Sequence, residues 1–468
     1  MERHTAPSAV GISRFRDLRQ EFRPMFTLAV PVVMAELGWM TMGLVDTLMV
    51  GGLGPEAIGA VGIGSSLFIG VCIFAMGLLL GLDTLVAHAF GAGRIDECHR
   101  WLAYGVTLSL LLSIPVTIIV LALSSALGRW GLHPAVLALT QPYLDILAWS
   151  IPPLLLYASF RRYLQGMGVV RPVMIALVVA NILNAFVNWL LIFGHWGAPA
   201  LGVRGSAWGT VVARVVMAGV LLAVIVYRER SLVVSRLPRL QRNRPFSSPS
   251  RRFSLEPMRR LLALGLPAAS QVTLEVGVFA AATALAGRLP PAALAAHQIA
   301  VNFVALTFMV PLGIASAGAV RVGHAIGRHD YDGAARSGWT AILFGVAFMS
   351  CAAAAFLLIP RALIGAFTSE PAVLSIGASL LFVGAIFQLF DGVQGVSTGV
   401  LRGLGDTRTP MLWNLAGHWF IGLPLGYTLC FVMGLGVVGL WWGLSTGLII
   451  CGIALLMAWS RHVASFHP

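Results

Sequence analysis

Lysine is absent from the 468 residues, and all 31 strongly basic side chains are arginine. Charged residues of both signs make up only 10% of the chain, against about 25% in an ordinary soluble protein. A surface so poor in charge excludes water as the main solvent. With 58% hydrophobic residues and a mean hydropathy of +0.87, lipid takes that place. Without lysine there is no GxxxxGK nucleotide loop, which excludes an ATP-driven pump of that kind. No DxxxD or DDxxD cluster occurs near a predicted membrane face, which argues against a metal-dependent prenyl or glycosyl transferase, and no enzyme activity is expected.

Cysteine is scarce too. Cys72, Cys98, Cys351, Cys430 and Cys451 are odd in number, lack paired spacing and sit in or beside apolar segments, which excludes a disulfide framework or a zinc site. The net charge of +13 comes without a basic stripe interleaved with aromatic residues, so nucleic acid is not an expected partner. The first residues are polar and arginine-containing, with no small-residue cleavage site after them, and no secretory signal peptide is expected.

What is present is a series of long apolar runs. A spanning helix needs about 20 such residues. Twelve candidates follow, near 25–50, 61–87, 102–127, 139–159, 172–194, 203–227, 260–286, 293–319, 337–359, 373–399, 410–433 and 436–459. The fold class is thus an all-α polytopic membrane protein. Its arginines alternate sides. Arg3 to Arg23, Arg94 and Arg100, Arg161 to Arg171, the group from Arg228 to Arg260, Arg321 to Arg336, Arg402 and Arg408, and Arg461 fall on one side. Only Arg129, Arg288 and Arg361 fall on the other. This bias predicts that both termini and the central loop are cytoplasmic. Residues 1–24 and 460–468 read as cytoplasmic tails, and 228–258, rich in Arg, Ser and Pro, as a cytoplasmic linker able to attract anionic lipid.

The chain also repeats itself. Residues 23–91 laid over 259–327, at a constant shift of 236, match Pro31 with Pro267, Pro55 with Pro291, Gly77 with Gly313, His88 with His324 and Gly91 with Gly327. At a shift of 237, Leu164, Gly166, Gly168 and Arg171 match Leu401, Gly403, Gly405 and Arg408. Six helices per copy is an even number, so the two repeats are parallel, with 25–227 as an N-lobe and 259–459 as a C-lobe.

Carboxylates inside such spans cost about 2.5–3.5 kcal/mol each on insertion scales. Asp46, Glu275 and Asp391 are the leading candidates. Their repeat-equivalents are Ala282, Trp39 and Leu154, so none is needed by the shared fold, and a functional role is favoured. A carboxylate that is neutral in one state and ionised in another suits proton coupling; with nearby oxygens it suits Na⁺ equally. Glu36, ten residues before Asp46 and about 15 Å along the helix, is either a second protonation site or an interface hydrogen-bonding group. Asn181, Asn184 and Asn188 share one helix face and either line a polar cavity or bind a neighbouring helix. His297 either titrates and touches substrate or is a satisfied interhelical histidine. Arg214 either pairs with an acid or snorkels or lies against carbonyls.

The segments PVVMAELGWMTMGLVDTLMVGGLG, LGLPAASQVTLEVGVFA, LAAHQIAVNF, MVPLGIASAGAVRVGHAIG and GVLRGLGDTRTPM resemble the multidrug and toxic compound extrusion (MATE) transporters, in particular their NorM-like bacterial branch. The likeness runs through nearly the whole chain. It implies a V-shaped pair of six-helix lobes around a central cavity, and a secondary active antiporter exporting cationic amphipathic compounds in exchange for H⁺ or Na⁺. No cofactor is implied beyond that ion. Asp46 matches the family's first-helix acid, and Glu275 and Asp391 its seventh- and tenth-helix acids, a possible Na⁺ site. Two positions depart: Glu36 stands where the family commonly has Gln, and Asn188 where another branch has Asp. The expected setting is the bacterial cytoplasmic (inner) membrane, as a monomer. The alternative is a flippase for a lipid-linked cell-envelope precursor, whose cavity needs several arginines for pyrophosphate, whereas only Arg214 is placed deep by the sequence.

Overall fold

The computed structural model describes residues 9–236 and 255–466. Most of the segment read as a linker, 237–254, lies outside them, as do 1–8 of the N-terminal tail and 467–468. The described residues form α1 (Ala9–Gly51), α2 (Pro55–Leu78), α3 (Gly81–Gly91), α4 (Ile95–Ala126), α5 (Pro134–Ala148), α6 (Ile151–Gly166), α7 (Arg171–Phe193) and α8 (Val203–Arg236). After the break come α9 (Leu255–Ala286), α10 (Pro291–Gly327), α11 (Tyr331–Leu358), α12 (Pro360–Gly365), α13 (Pro371–Leu404), α14 (Arg408–Asn414), α15 (Leu423–Tyr427) and α16 (Gly436–Ala464). Between α14 and α16 the chain runs through two π-helical stretches, Leu415–Gly422 and Thr428–Val432.

Eleven of these segments are long and apolar enough to span a bilayer, and the pair α5 and α6, bent by 50°, supplies a twelfth. The helices outrun the apolar windows that announce them. α1 begins at Ala9, within the segment read as a tail, and α8 continues to Arg236, into the segment read as linker. A hydropathy window stops where the side chains turn polar, but backbone hydrogen bonding carries a helix on into the polar interface. Helix starts follow local chemistry. Proline opens α2, α5, α10 and α13, where its missing N–H costs nothing. Asp330 caps α11 by accepting from the Gly333 N–H at 2.8 Å. Gly405, at φ +96°, ends α13 in the left-handed conformation that glycine adopts without penalty.

The chain divides into two compact units. Unit 1 holds the described residues of 1–37, 87–94 and 270–468, and unit 2 those of 38–86 and 95–269. α1 and α9 each contribute to both. Within unit 1 the early part of α1 packs so closely on α10 that a Cβ on Gly313 would lie 2.7 Å from the Val33 Cα. Within unit 2 a Cβ on Gly77 would lie 2.5 Å from the Ala269 Cα. Val33 and Ala269 are equivalent under the 236-residue shift, as are Gly77 and Gly313, so one contact is made twice by repeat-related residues. The same reciprocity joins α3 and α10 in unit 1, where Gly91 meets His324 and Gly327 meets His88.

Candidate functional sites in the two units

In unit 2, α1, α7 and α8 converge on Asp46, which is 6% exposed. The Asn188 amide donates to one carboxylate oxygen at 2.6 Å, and the Thr210 hydroxyl donates to the other at 3.0 Å. Asn184, one helical turn before Asn188, accepts from the Asn188 amide at 3.4 Å. The cluster needs the nearby backbone of α8 to be bare. A Cβ on Gly209 would fall 2.1 Å from the Asn188 Oδ1. Asn181, on the same face, is committed elsewhere and donates to the Gly38 carbonyl at 2.9 Å. The structure therefore brings Asp46, Asn184 and Asn188 together and adds Thr210, which the sequence did not mark because threonine is unremarkable in an apolar span.

Arg214 lies one turn beyond Thr210, 7% exposed and electrostatically coupled to Asp46. It neither snorkels nor rests on carbonyls. Its Nη1 donates to the Ser150 hydroxyl at 2.5 Å, and its guanidinium sits 4.5 Å from the centre of the Phe68 ring. A guanidinium face over an aromatic ring is favourable when both are withdrawn from water.

In unit 1, Glu275 on α9 accepts from the Gln271 amide at 3.2 Å and from Asn414 of α14 at 3.4 Å. Asp391 on α13 is 4% exposed and feels the Glu275 charge. Two carboxylates in one low-dielectric site repel, and a bound cation relieves the repulsion. Further oxygens are free for one: Gln394 Oε1 and Asn414 Oδ1 are buried without a hydrogen-bond partner. Carboxylate and amide oxygens are the ligands a hard monovalent cation takes. Among the described residues no group of three His, Cys, Asp or Glu side chains is assembled around a common point. Glu36 is buried on the part of α1 that belongs to unit 1.

His297 is fully buried on α10 with both ring nitrogens engaged. Trp441 donates its indole N–H to Nδ1 at 3.0 Å, and Nε2 lies 3.0 Å from the Thr283 hydroxyl. These bonds tie α10 to α16 and α9 through the histidine. Two acids within the predicted spans escape notice by hydropathy alone. Asp83 is 1% exposed and bridges to Arg162 at 3.1 Å, and Asp145 accepts from the Ser124 hydroxyl at 2.7 Å.

The chain is thus an all-helical polytopic membrane protein with a buried cluster of acidic and amide side chains in each of its two units. Comparison with known proteins makes this specific. The MatE family model matches residues 31–190 and 267–428, and the chain belongs to that family of transporters. It is 36% identical over 453 residues to a probable multidrug resistance protein NorM of Mesorhizobium japonicum, covering 95% of this chain and 94% of the relative. It is 38% identical over 443 residues to the multidrug resistance protein NorM of Burkholderia vietnamiensis, covering 93% and 92%. Among solved structures, the Vibrio cholerae MATE transporter VcmN in its bent form superposes with a TM-score of 0.82 at 20% identity, covering 96% of this chain and 99% of that one. A eukaryotic MATE transporter gives the same score, identity and coverage. At that identity the structures show the fold alone.

Proposed function

We propose that this protein is a secondary active multidrug exporter, expelling cationic amphipathic compounds in exchange for H⁺ or Na⁺. The observation that carries the reading is the buried carboxylate of Glu275, bonded to Gln271 and Asn414 beside unpartnered amide oxygens, with a second acid, Asp391, buried in the same unit of a transporter of NorM-like sequence. A cationic compound and the coupling ion compete for the same negative charge. Ion entry down its gradient then displaces the compound, and the protein exchanges one for the other. A ligand drives a change of state only through unequal affinity for the two states. Here the inequality lies in how far each state withdraws the carboxylates from water. Asp46, with Asn184, Asn188 and Thr210, forms a second cation-responsive site, and Glu36 adds a further acid on the same helix. The halves 25–227 and 259–459 act as lobes and the protein works as a monomer; the arginine distribution supports a bacterial inner-membrane orientation with both termini cytoplasmic.

The test is ethidium efflux in inverted vesicles and reconstituted liposomes, with proton and sodium gradients imposed separately. Transport driven by one gradient, and lost in Asp391→Asn and Glu275→Gln, supports the reading and names the ion. Absence of transport under either gradient, with folded protein in the membrane, overturns it in favour of a flippase of lipid-linked precursors.

A further inference from the structure

The span made of α5 and α6 is broken at Trp149 and Ser150, where it bends by 50°. The cause is local. Pro152 and Pro153 follow at once, and neither has an N–H to offer the carbonyls of Ala148 and Trp149. With those rungs missing, the backbone alone does not fix the bend, and side chains that reach the break set its angle. One does so from another helix. Arg214 of α8 donates from Nη1 to the Ser150 hydroxyl at 2.5 Å, and that hydroxyl donates in turn to the Leu147 carbonyl at 2.5 Å.

The same face of α8 also reaches Asp46. Thr210, one turn before Arg214, donates to the Asp46 carboxylate at 3.0 Å. Neighbouring turns of one helix thus hold the acid and the break, all within unit 2. The guanidinium is buried against the Phe68 ring of α2, and its Nε has no hydrogen-bond partner. The ionisable groups whose fields it feels are Asp46 of α1, Cys72 of α2 and Tyr143 of α5. A thiol and a phenol are ordinarily neutral at physiological pH, so the acid among the three is what offsets the Arg214 charge. At low dielectric such an offset is strong, and it is lost when a cation neutralises the acid.

We infer that Arg214 is a positioning residue for the exchange cycle, tying the charge state of Asp46 to the angle between α5 and α6. While Asp46 is ionised, its field steadies the guanidinium on Ser150. Once a cation neutralises Asp46, Arg214 is left as an uncompensated buried charge, its hold on Ser150 changes, and the break takes a new angle. The purpose of this link rests on the exporter reading, but the link itself is measurable without transport.

Electron spin–spin distances across the break test it. Nitroxides are placed at Ala135→Cys, on the exposed start of α5, and at Met167→Cys, just past α6, in the full-length chain with Cys351→Ser; the other four cysteines are buried. With arms of about 23 Å at about 1.5 Å per residue, full straightening of the 50° bend lengthens the distance by about 4 Å. Asp46→Asn, which mimics the neutral acid, is expected to shift the mean distance by about 2–4 Å. Arg214→Gln should abolish that response, Arg214→Lys, which keeps the charge, should retain part of it, and Ser150→Ala, which removes the contact, should abolish it as well. A purely structural Arg214 would alter the starting distance or the stability but leave the response to Asp46→Asn intact. No shift from Asp46→Asn overturns the inference whether or not the Arg214 variants fold, and so does a full shift that persists in folded Arg214→Gln or Ser150→Ala. The liposome assay separates this from the exporter reading. Gradient-driven transport with no response at the break retires the link alone; a response at the break without transport under either gradient retires the exporter alone.

Discussion

Asn188 donates its side-chain amide to the Asp46 carboxylate at 2.6 Å, joining α7 to α1 across 142 positions of sequence. Thr210 holds the other oxygen from α8. Hydrogen bonds to charged groups are worth about 1.5–3 kcal/mol, roughly twice a neutral pair. Asn188→Leu should therefore cost about that much stability and reduce efflux sharply, whereas Thr210→Val, which removes one hydroxyl, should cost less. Thermal unfolding in detergent and vesicle efflux measure the two effects. Equal and negligible losses in both variants would show that Asp46 is held by neither.

Gly209→Ala should be more damaging than a single methyl suggests. The new Cβ would fall 2.1 Å from Asn188 Oδ1, so the amide must leave its place against Asp46. Overpacking of this kind costs about 1–3 kcal/mol. The expected outcome is lower efflux and a lower melting temperature, partly recovered in Gly209→Ala with Asn188→Ser, where the shorter side chain makes room. Failure of the second change to recover anything would place the damage elsewhere on α8.

The repeat makes a prediction of its own. Gly77 meets Ala269 and Gly313 meets Val33 at near-identical closeness, backbone against backbone. Gly77→Val and Gly313→Val should impair expression and transport to similar extents, because no side chain at either contact can swing clear. A strong effect at one position and none at the other would break the reciprocity.

Glu275 and Asp391 should fail additivity. They share one field, so neutralising either removes the cooperation of both. Asp391→Asn, Glu275→Gln and the double variant should show similar residual efflux. Losses that multiply instead would mean two independent sites, a result read from initial rates under a fixed gradient.

Asp83, buried, and Arg162, part-buried, form an ion pair within unit 2. Removing Arg162 weakens what offsets the desolvation of the buried Asp83 carboxylate, a cost of up to about 3–5 kcal/mol. Arg162→Gln should lower the melting temperature markedly, and Asp83→Asn with Arg162→Gln should recover much of it, since neutral amides strand no charge. A double variant no better than the single one would show that the pair is not what keeps this region folded.

Much of this was legible before any coordinates. Asp46, Asn184 and Asn188 were candidates by their polarity in apolar runs, and the structure brings all three into one cluster. Glu275 and Asp391 stood out as acids in apolar runs and were paired only by the family resemblance; the amide partners of Glu275 are tertiary. Thr210, Gln271 and Asn414 carried no signal, because a lone polar residue in a membrane helix is ordinary until its neighbour is known. The Arg214 environment was open between carbonyls, an acid and the interface; Ser150 and Phe68 hold it, with the charge of Asp46 nearby.

The amino-acid sequence by itself determined the solvent, the approximate number of spans, their repeat and the identity of the costly charges. Each of these depends on composition along one segment or on register within the chain, and transfer energy from water to lipid is a local quantity. Which donor reaches which carboxylate, and which side chains engage His297, were decided only by the tertiary structure. Those outcomes depend on distances between helices far apart in sequence, and a difference of one ångström separates a hydrogen bond from an empty acceptor.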